Sequence, residues 1–515
     1  LASISRLEHL KELHSNAFTF NRGIERETLR VDAQGHISQK PHPTGLGSAL
    51  THTAITTDYS ESLLEFITSV HTEKKALIQQ LDELHRFSFS ELDREMFWSG
   101  SMPSVLPEQE QIPIAQYGDS HIGKLKTIYR HGLWHRYGRK MQTIAGLHYN
   151  WSLSDEFWRQ WALVNGKSGD LTDFKTDEYF GLIRNFRRHS WLLLYLFGAS
   201  PAADSSFIDH PTDSLEMMNG DTLYGPYATS LRMSDIGYSN QAQAELFVCF
   251  NSLESYASTL SEAIEQPYPA YEEIGLKEGG NYKQLNTSIL QIENEYYSDI
   301  RPKRVAFSGE KPLHALRYRG VEYIEVRCLD VNPYLPLGID ETQMSFVDLF
   351  LLWCLVQDSP AISAEECDQL QKNSQRVAIE GRHPDAEIMY QGKPQPLREL
   401  ASTLTQSICK FAQLIDDKNG TDCYKAACIA QQEKINNPEQ VLSHTVLESV
   451  KKAQSYRAFS LTQSELFSEH FSRPLSLDKQ QHWTDCANES LQSQRDIEAA
   501  DHGDFDSFLT DYLRQ

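Results

Sequence analysis

The stretch Arg22-Gly-Ile-Glu-Arg-Glu-Thr-Leu-Arg-Val31 decides how this chain is read. It has no proline and carries β-branched or long side chains, so it reads as a strand. Side chains alternate along a strand. Gly23, Glu25, Glu27, Leu29 and Val31 therefore share one face, and Arg22, Arg26 and Arg30 fall on the other. Glu25 and Glu27 then lie roughly 7 Å apart, from a rise of ~3.3 Å per residue. Carboxylates that close repel one another unless a cation lies beside them. An edge strand could carry such a pair in solvent, so the weight of this reading depends on whether the pattern recurs.

It recurs three times. In Gly320-Val-Glu-Tyr-Ile-Glu-Val-Arg-Cys-Leu-Asp330, alternation groups Tyr323, Glu325, Arg327 and Leu329 against Ile324, Val326 and Cys328. One face is apolar enough for a core, and the other holds an acid beside a guanidinium. Met141-Gln-Thr-Ile-Ala-Gly-Leu-His-Tyr-Asn-Trp-Ser-Leu153 reads the same way, with Gln142, His148, Asn150 and Ser152 opposite a largely apolar set. In Thr57-Asp-Tyr-Ser-Glu-Ser-Leu-Leu-Glu-Phe-Ile67, Glu65 points where Leu63 and Ile67 point, which is costly unless it is paired or coordinated. Asp58 lies in the preceding turn. A lone histidine or a single cross-strand ion pair is usually structural. Here the polar faces of four strands can meet.

Oxygen-rich sites with several carboxylates suit Mg²⁺ or Mn²⁺, which bridge nucleotide phosphates. The chain has no C-x-x-C pair and no H-E-x-x-H helix, which weakens a zinc reading. It also lacks a G-x-x-x-x-G-K-[ST] loop and a complete G-x-G-x-x-G. A bound nucleotide would have to be held by metals and arginines on a sheet.

Several runs now match a known family. Arg22–Arg30, Thr56-Thr-Asp58, Ser62-Leu-Leu-Glu-Phe-Ile-Thr68, Leu196-Phe-Gly-Ala-Ser-Pro201, Pro226-Tyr-Ala-Thr-Ser-Leu-Arg232, Leu290-Gln-Ile-Glu-Asn-Glu295, Ile300-Arg-Pro-Lys-Arg304 and Glu322-Tyr-Ile-Glu-Val-Arg327 closely resemble the gammaproteobacterial type of glutamate–cysteine ligase. The resemblance implies an α+β fold like that of glutamine synthetase. An antiparallel sheet curves into a bowl holding two or three Mg²⁺ ions (Mn²⁺ being the alternative), surrounded by helices, with a helical C-terminal part. It implies condensation of the L-glutamate γ-carboxylate with the L-cysteine amine, using ATP, in the first step of glutathione synthesis. Carried over by motif, Glu25, Glu27, Asp58, Glu65, His148 and Glu325 correspond to the metal ligands. Arg232 and Arg327 correspond to the cations that meet substrate and transferring phosphate. Tyr129, Gln142, Tyr238, Tyr59, Arg130 and Leu133 correspond to the cysteine pocket, with Tyr59 standing where relatives carry phenylalanine.

The chemistry agrees with the residues. A carboxylate is a poor acyl donor until it becomes an acyl phosphate, and phosphoryl transfer asks a protein mainly for positioning and charge neutralisation. Arg327, beside Glu325, can contact phosphoryl oxygens bidentately. Arg301 and Lys303 are nucleotide candidates against the alternative of a basic turn on an acidic surface. Gln291, Glu293 and Glu295 would share a strand face and contact nucleotide or metal. Two competing functions are a ligase taking another amine, and a catalytically silent glutamate- or nucleotide-binding regulator. The second predicts a missing ligand or arginine, and none is missing.

Composition sets the outer bounds. The 515 residues carry 71 acidic and 48 basic side chains, a net charge of −23, which disfavours nucleic acid and anionic membranes as partners. No uninterrupted apolar run reaches the ~18–20 residues of a membrane span. The N-terminus lacks both a signal-peptide pattern and an initiator Met, so a cytoplasmic chain missing a few residues is expected. Helical patterns cover 1–19, 70–97, 340–357 and much of 396–515, and strands cluster in 20–152 and 280–330. No linker or repeat intervenes, so the expectation is a catalytic part over 1–395 with a helical part over 396–515 packed on it as one unit. Relatives fused to a glutathione synthetase module are much longer, so a single activity is expected. A monomer is expected too, with glutathione as feedback inhibitor. The eight scattered cysteines read mostly as free thiols, and Cys423 and Cys428 are poorly placed to pair on one helix.

Overall fold

The computed structural model describes residues 4–209, 213–238, 241–244, 246–307 and 309–514. Its strands, numbered along the chain, are β1 Phe20–Val31, β2 Ile55–Thr57, β3 Leu63–Ile67, β4 Met96–Phe97 and β5 Leu147–Leu153. They continue with β6 Ala202–Asp204, β7 Glu216–Met218, β8 Thr222–Tyr224, β9 Lys277–Glu278, β10 Asn281–Tyr282, β11 Ile300–Lys303, β12 Tyr323–Leu329, β13 Glu387–Tyr390 and β14 Lys393–Pro396. The principal sheet runs β11-β12-β5-β1-β3-β2, with β4 on the far end of β1. Every pairing in it is antiparallel. The fold is α+β, an open antiparallel sheet surrounded by helices.

β1 is a central strand, flanked by β5 and β3, so its acids are not a solvated edge pair. Its reverse face enters the core. Arg22, Arg26 and Arg30 are all buried there beside Phe20 and Ile24. Arg22 Nη2 reaches Asp348 Oδ2 at 2.6 Å, and Arg30 Nη1 reaches Glu95 Oε2 at 3.0 Å. Arg26 Nη1 donates to the Glu27 carbonyl at 2.7 Å. Asp348 belongs to the helix Glu341–Val356, which is apolar all round and buried from Gln343 onward, as a helix without a polar face must be. Its carboxylate also accepts from Tyr149 at 2.9 Å and Tyr424 at 3.3 Å, tying β1, β5 and two helices together.

The C-terminal helices close over this layer. Helix Tyr456–Phe471 contacts helix Lys74–Ser90 and β4, and one apolar cluster contains residues from Leu10 to Ala487. Helices Leu397–Asn419 and Cys423–Asn436 form a hairpin joined by a Cys409–Cys428 disulfide. That pairing departs from the free-thiol expectation at two positions. The other six cysteines, Cys423 included, are free.

Local departures have local causes. The helix expected over 70–97 stops at Ser90, and Met96–Phe97 pairs with β1 instead. The expected strand over 141–153 begins only at Leu147. Met141–Thr143 is a 3₁₀ turn, and the Gly146 amide is taken by the Glu27 side chain rather than a ladder partner. Glu293–Glu295 is likewise a 3₁₀ turn, so Gln291, Glu293 and Glu295 do not share a strand face.

Candidate active site

Strand register brings the acids together. Glu25 stands opposite His148 on β5, Glu27 opposite Glu65 on β3, and Glu325 opposite both Asn150 and Arg301. His148 Nδ1 lies 3.1 Å from Glu25 Oε2 and 3.6 Å from Glu325 Oε1, while its Nε2 lies 3.6 Å from Glu27 Oε1. Glu25, Glu65 and His148 each offer a ligand atom, all within 4.8 Å of one another. Asp58 sits in the β2–β3 turn, its amide donating to the Leu63 carbonyl.

The electrostatics divide the acids into two groups. Burial, reinforced by Glu27, pushes the Asp58 carboxyl up to about 6. Burial and the charges of Glu25, Asp58 and Glu27 hold Glu65 well above its ordinary range. Glu25 is half-buried, and although desolvation and Glu325 push it up, the His148 hydrogen bond and charge, with Lys303, keep it low. Burial does not prevail at Glu325 either, because Lys303, Arg327, His148 and Arg301 hold it well below. Negative charge at Asp58 and Glu65 is therefore under-compensated by the protein's own cations. The buried Glu325 Oε2 accepts no hydrogen bond and has Lys303 Nζ at 3.4 Å. A hard divalent cation fits this donor set of carboxylate oxygens with one imidazole.

A cavity of about 90 Å³ opens beside Glu27 and Asp58. Arg327 lines it, with Nη1 3.0 Å from Glu325 Oε1. So do Tyr59, Tyr129, Arg130, Leu133, Gln142 and Tyr238, the whole group matched to the cysteine pocket. Tyr129, Arg130 and Leu133 come from one face of helix His121–Tyr137. Gln142 Nε2 donates to the Tyr297 hydroxyl at 2.9 Å, and the Tyr238 ring lies 5.3 Å from that of Tyr297.

Arg232 is placed differently from Arg327. It is 1% exposed, donates from Nη2 to the Arg327 carbonyl at 2.7 Å and sits 3.5 Å from Asp330. It reaches this position past Gly146, where a Cβ would lie 2.3 Å from Arg232 Nη2.

A family model described as glutamate-cysteine ligase matches residues 5–377. The chain belongs to the glutamate–cysteine ligase family. It is 50% identical to the glutamate–cysteine ligase of Pseudomonas paraeruginosa over 95% of this chain and 93% of that one. The Azotobacter vinelandii enzyme gives the same identity and coverage. The fold is similar to the 2.0 Å crystal structure of the Francisella tularensis glutamate–cysteine ligase in complex with AMP. The TM-score is 0.91 at 35% identity, covering 96% of this chain and 98% of that one. As a member of this family the chain is a ligase of glutathione biosynthesis.

The ligase cavity also has walls that alternation did not reveal. Asn294, Glu295 and Tyr297 line it from irregular backbone. The signal available was the aromatic pair Tyr296-Tyr297 directly after the Leu290–Glu295 motif. The nucleotide candidates separate as well. Lys303 faces the Glu325 carboxylate and keeps partial exposure. Arg301 lines the cavity while holding the Asn294 carbonyl at 2.9 Å and that of Tyr296. Gln291 is fully buried, accepting from the Leu285 amide and donating to the Tyr129 carbonyl. Glu293 accepts from the Leu313 amide at the start of a helix.

Proposed function

We propose that this chain joins the γ-carboxylate of L-glutamate to the amine of L-cysteine at the expense of ATP, through γ-glutamyl phosphate. The supporting observation is adjacency. A half-buried acid–imidazole cluster, a guanidinium in contact with it at Glu325, and a small cavity meet on one face of the sheet.

Glu25, Glu27, Asp58, Glu65, His148 and Glu325 would hold Mg²⁺ or Mn²⁺, which when bound neutralises phosphate oxygens. A glutamate γ-oxygen attacks the terminal phosphorus of ATP, and ADP leaves with the electrons of the broken P–O bond. The neutral cysteine amine then attacks the acyl carbon, phosphate leaves with the electrons of the broken C–O bond, and the nitrogen's surplus proton leaves with the phosphate. Arg327 supplies fixed positive charge where the phosphoryl group passes, and Arg232 supports it from behind through the Arg327 carbonyl. Lys303, with Arg301 behind it, would meet the nucleotide, and Gln291 and Glu293 would serve the frame around it. The aromatic cavity would take the cysteine side chain. Among the described residues no helix is long and apolar enough to cross a membrane, and a cytoplasmic monomer fits such a small-molecule ligase.

The test is ADP release by the purified chain with ATP, Mg²⁺ and glutamate, with and without L-cysteine. Release that requires cysteine and yields γ-glutamylcysteine is expected. Preference for another amine would overturn the substrate. Binding of ATP with no amine-dependent release would overturn the reaction.

A further inference from the structure

Glu295 belongs neither to the carboxylate–imidazole cluster nor to the residues matched to the cysteine pocket, yet its side chain is completely buried at the cavity wall. A carboxylate in that position needs full compensation, and it has it. Oε1 accepts from Arg136 Nη1 at 3.0 Å and from the Tyr137 hydroxyl at 2.5 Å, and Oε2 accepts from the Gln291 amide at 2.7 Å. Two of these donors end the helix that carries Tyr129, Arg130 and Leu133, and the third begins the segment that carries Tyr297. One carboxylate thus clamps both walls of the amine-side cavity.

The clamp continues inward through aromatic contact. The Tyr137 ring meets the Tyr297 ring edge-on at 6.2 Å. The Tyr297 hydroxyl is then fixed by Gln142 at 2.9 Å. Gln243 adds a tie of the same kind, donating to the Glu295 carbonyl and accepting from the Tyr297 amide, both at 2.9 Å. The metal ligands, by contrast, hang on β1, β3, β5, β12 and the β2–β3 turn, and none of them is a hydrogen-bond partner of the Glu295 carboxylate.

We infer that Glu295 is a positioning residue for the incoming amine, acting through Tyr137 and Tyr297 on the amine-side wall, while the metal ligands and Arg327 keep their own supports. This rests on the ligase reading above. Losing the charge leaves Arg136 buried without its anion and frees the Tyr137 ring to drift. The cavity then loosens on the amine side only, and a slack of ~1 Å at a reacting group can cost on the order of 100-fold.

Steady-state kinetics of Glu295→Gln separates the possibilities. The expected result is a KM for cysteine raised tenfold or more, with KM for glutamate and ATP within twofold of wild type. Tyr137→Phe, which removes one donor and keeps the ring, should raise the cysteine KM several-fold and covers the case in which Glu295→Gln fails to fold. Asp416→Asn is the control for lost stability. That buried carboxylate also holds three donors, from Thr421, Tyr424 and Lys425, and none of these residues lines the cavity. It should lower Tm without moving the cysteine KM. An unchanged cysteine KM in Tyr137→Phe and in folded Glu295→Gln, or an equal rise for all three substrates, would overturn the inference. Wild-type protein showing no cysteine-dependent turnover would overturn the ligase reading instead.

Discussion

Glu27 and Glu65 are direct register partners across the β1–β3 ladder, a buried carboxylate facing a half-buried one. With Glu25 and Asp58 close by, Glu65 is held well above its ordinary range. Removing its charge should therefore help the fold and harm the chemistry. Glu65→Gln in chelator should raise Tm by about 1 °C, on the order of 1 kcal/mol of relieved repulsion in a chain of this size. With Mg²⁺ it should lose at least 100-fold in kcat. A lower Tm in chelator would mean that the acid cluster is not strained.

Arg327 and Gly146 test the cationic side. Arg327→Lys keeps the charge and loses the planar fork, so kcat should fall more than tenfold with the glutamate KM changed less. Gly146→Ala should act on the same step from behind, because the added methyl meets Arg232 Nη2 and that group supports the Arg327 carbonyl. A tenfold fall in kcat is expected, and a wild-type kcat would release Arg232 from its supporting role.

The reverse of the sheet carries its own prediction. Asp348 is the sole carboxylate paired with Arg22 among the described residues and accepts from two tyrosines as well. Breaking a buried pair from one side costs about 3–5 kcal/mol. Asp348→Asn should therefore lower the denaturant midpoint sharply without changing the cysteine KM of whatever remains folded.

His189 supplies a pH dependence. Its ring is buried beside Trp353 and Tyr390, and burial lowers it to about 3. The unfolded chain binds this proton below about 6.5, and the folded chain does not until about 3. The stabilisation is thus complete above pH 6.5 and is lost as pH falls through that window, about 2 kcal/mol by pH 5. His189→Phe should flatten the fall of Tm between pH 7 and pH 5. An unchanged slope would place the lost stability on other groups.

What the sequence could disclose follows from the range of the physical rule used. Period-two alternation is local, so Glu25, Glu27, Glu65, His148, Glu325 and Arg327 could be set on strand faces from their neighbours alone. The sheet order that makes β1 central is not local, because β11 and β12 arrive from residues 300–329. The burial of Arg22 and Arg30 was illegible for the same reason, since Asp348 and Glu95 lie far along the chain. Glu295 and Tyr297 sit where no period applies. A 3₁₀ turn aims side chains by its tertiary contacts, and alternation misread it as a strand.

β1 carries acids on one face and guanidiniums on the other over the same few residues. A slip of one position against β5 would turn Arg26 into the bowl and drive Glu25 and Glu27 toward the apolar layer where Phe20 and Ile24 belong. Every such misalignment strands unpaired charge on both sides at once. The strand therefore proofreads its own alignment during assembly, and the motif that equips the bowl for chemistry also rejects each neighbouring way of building it.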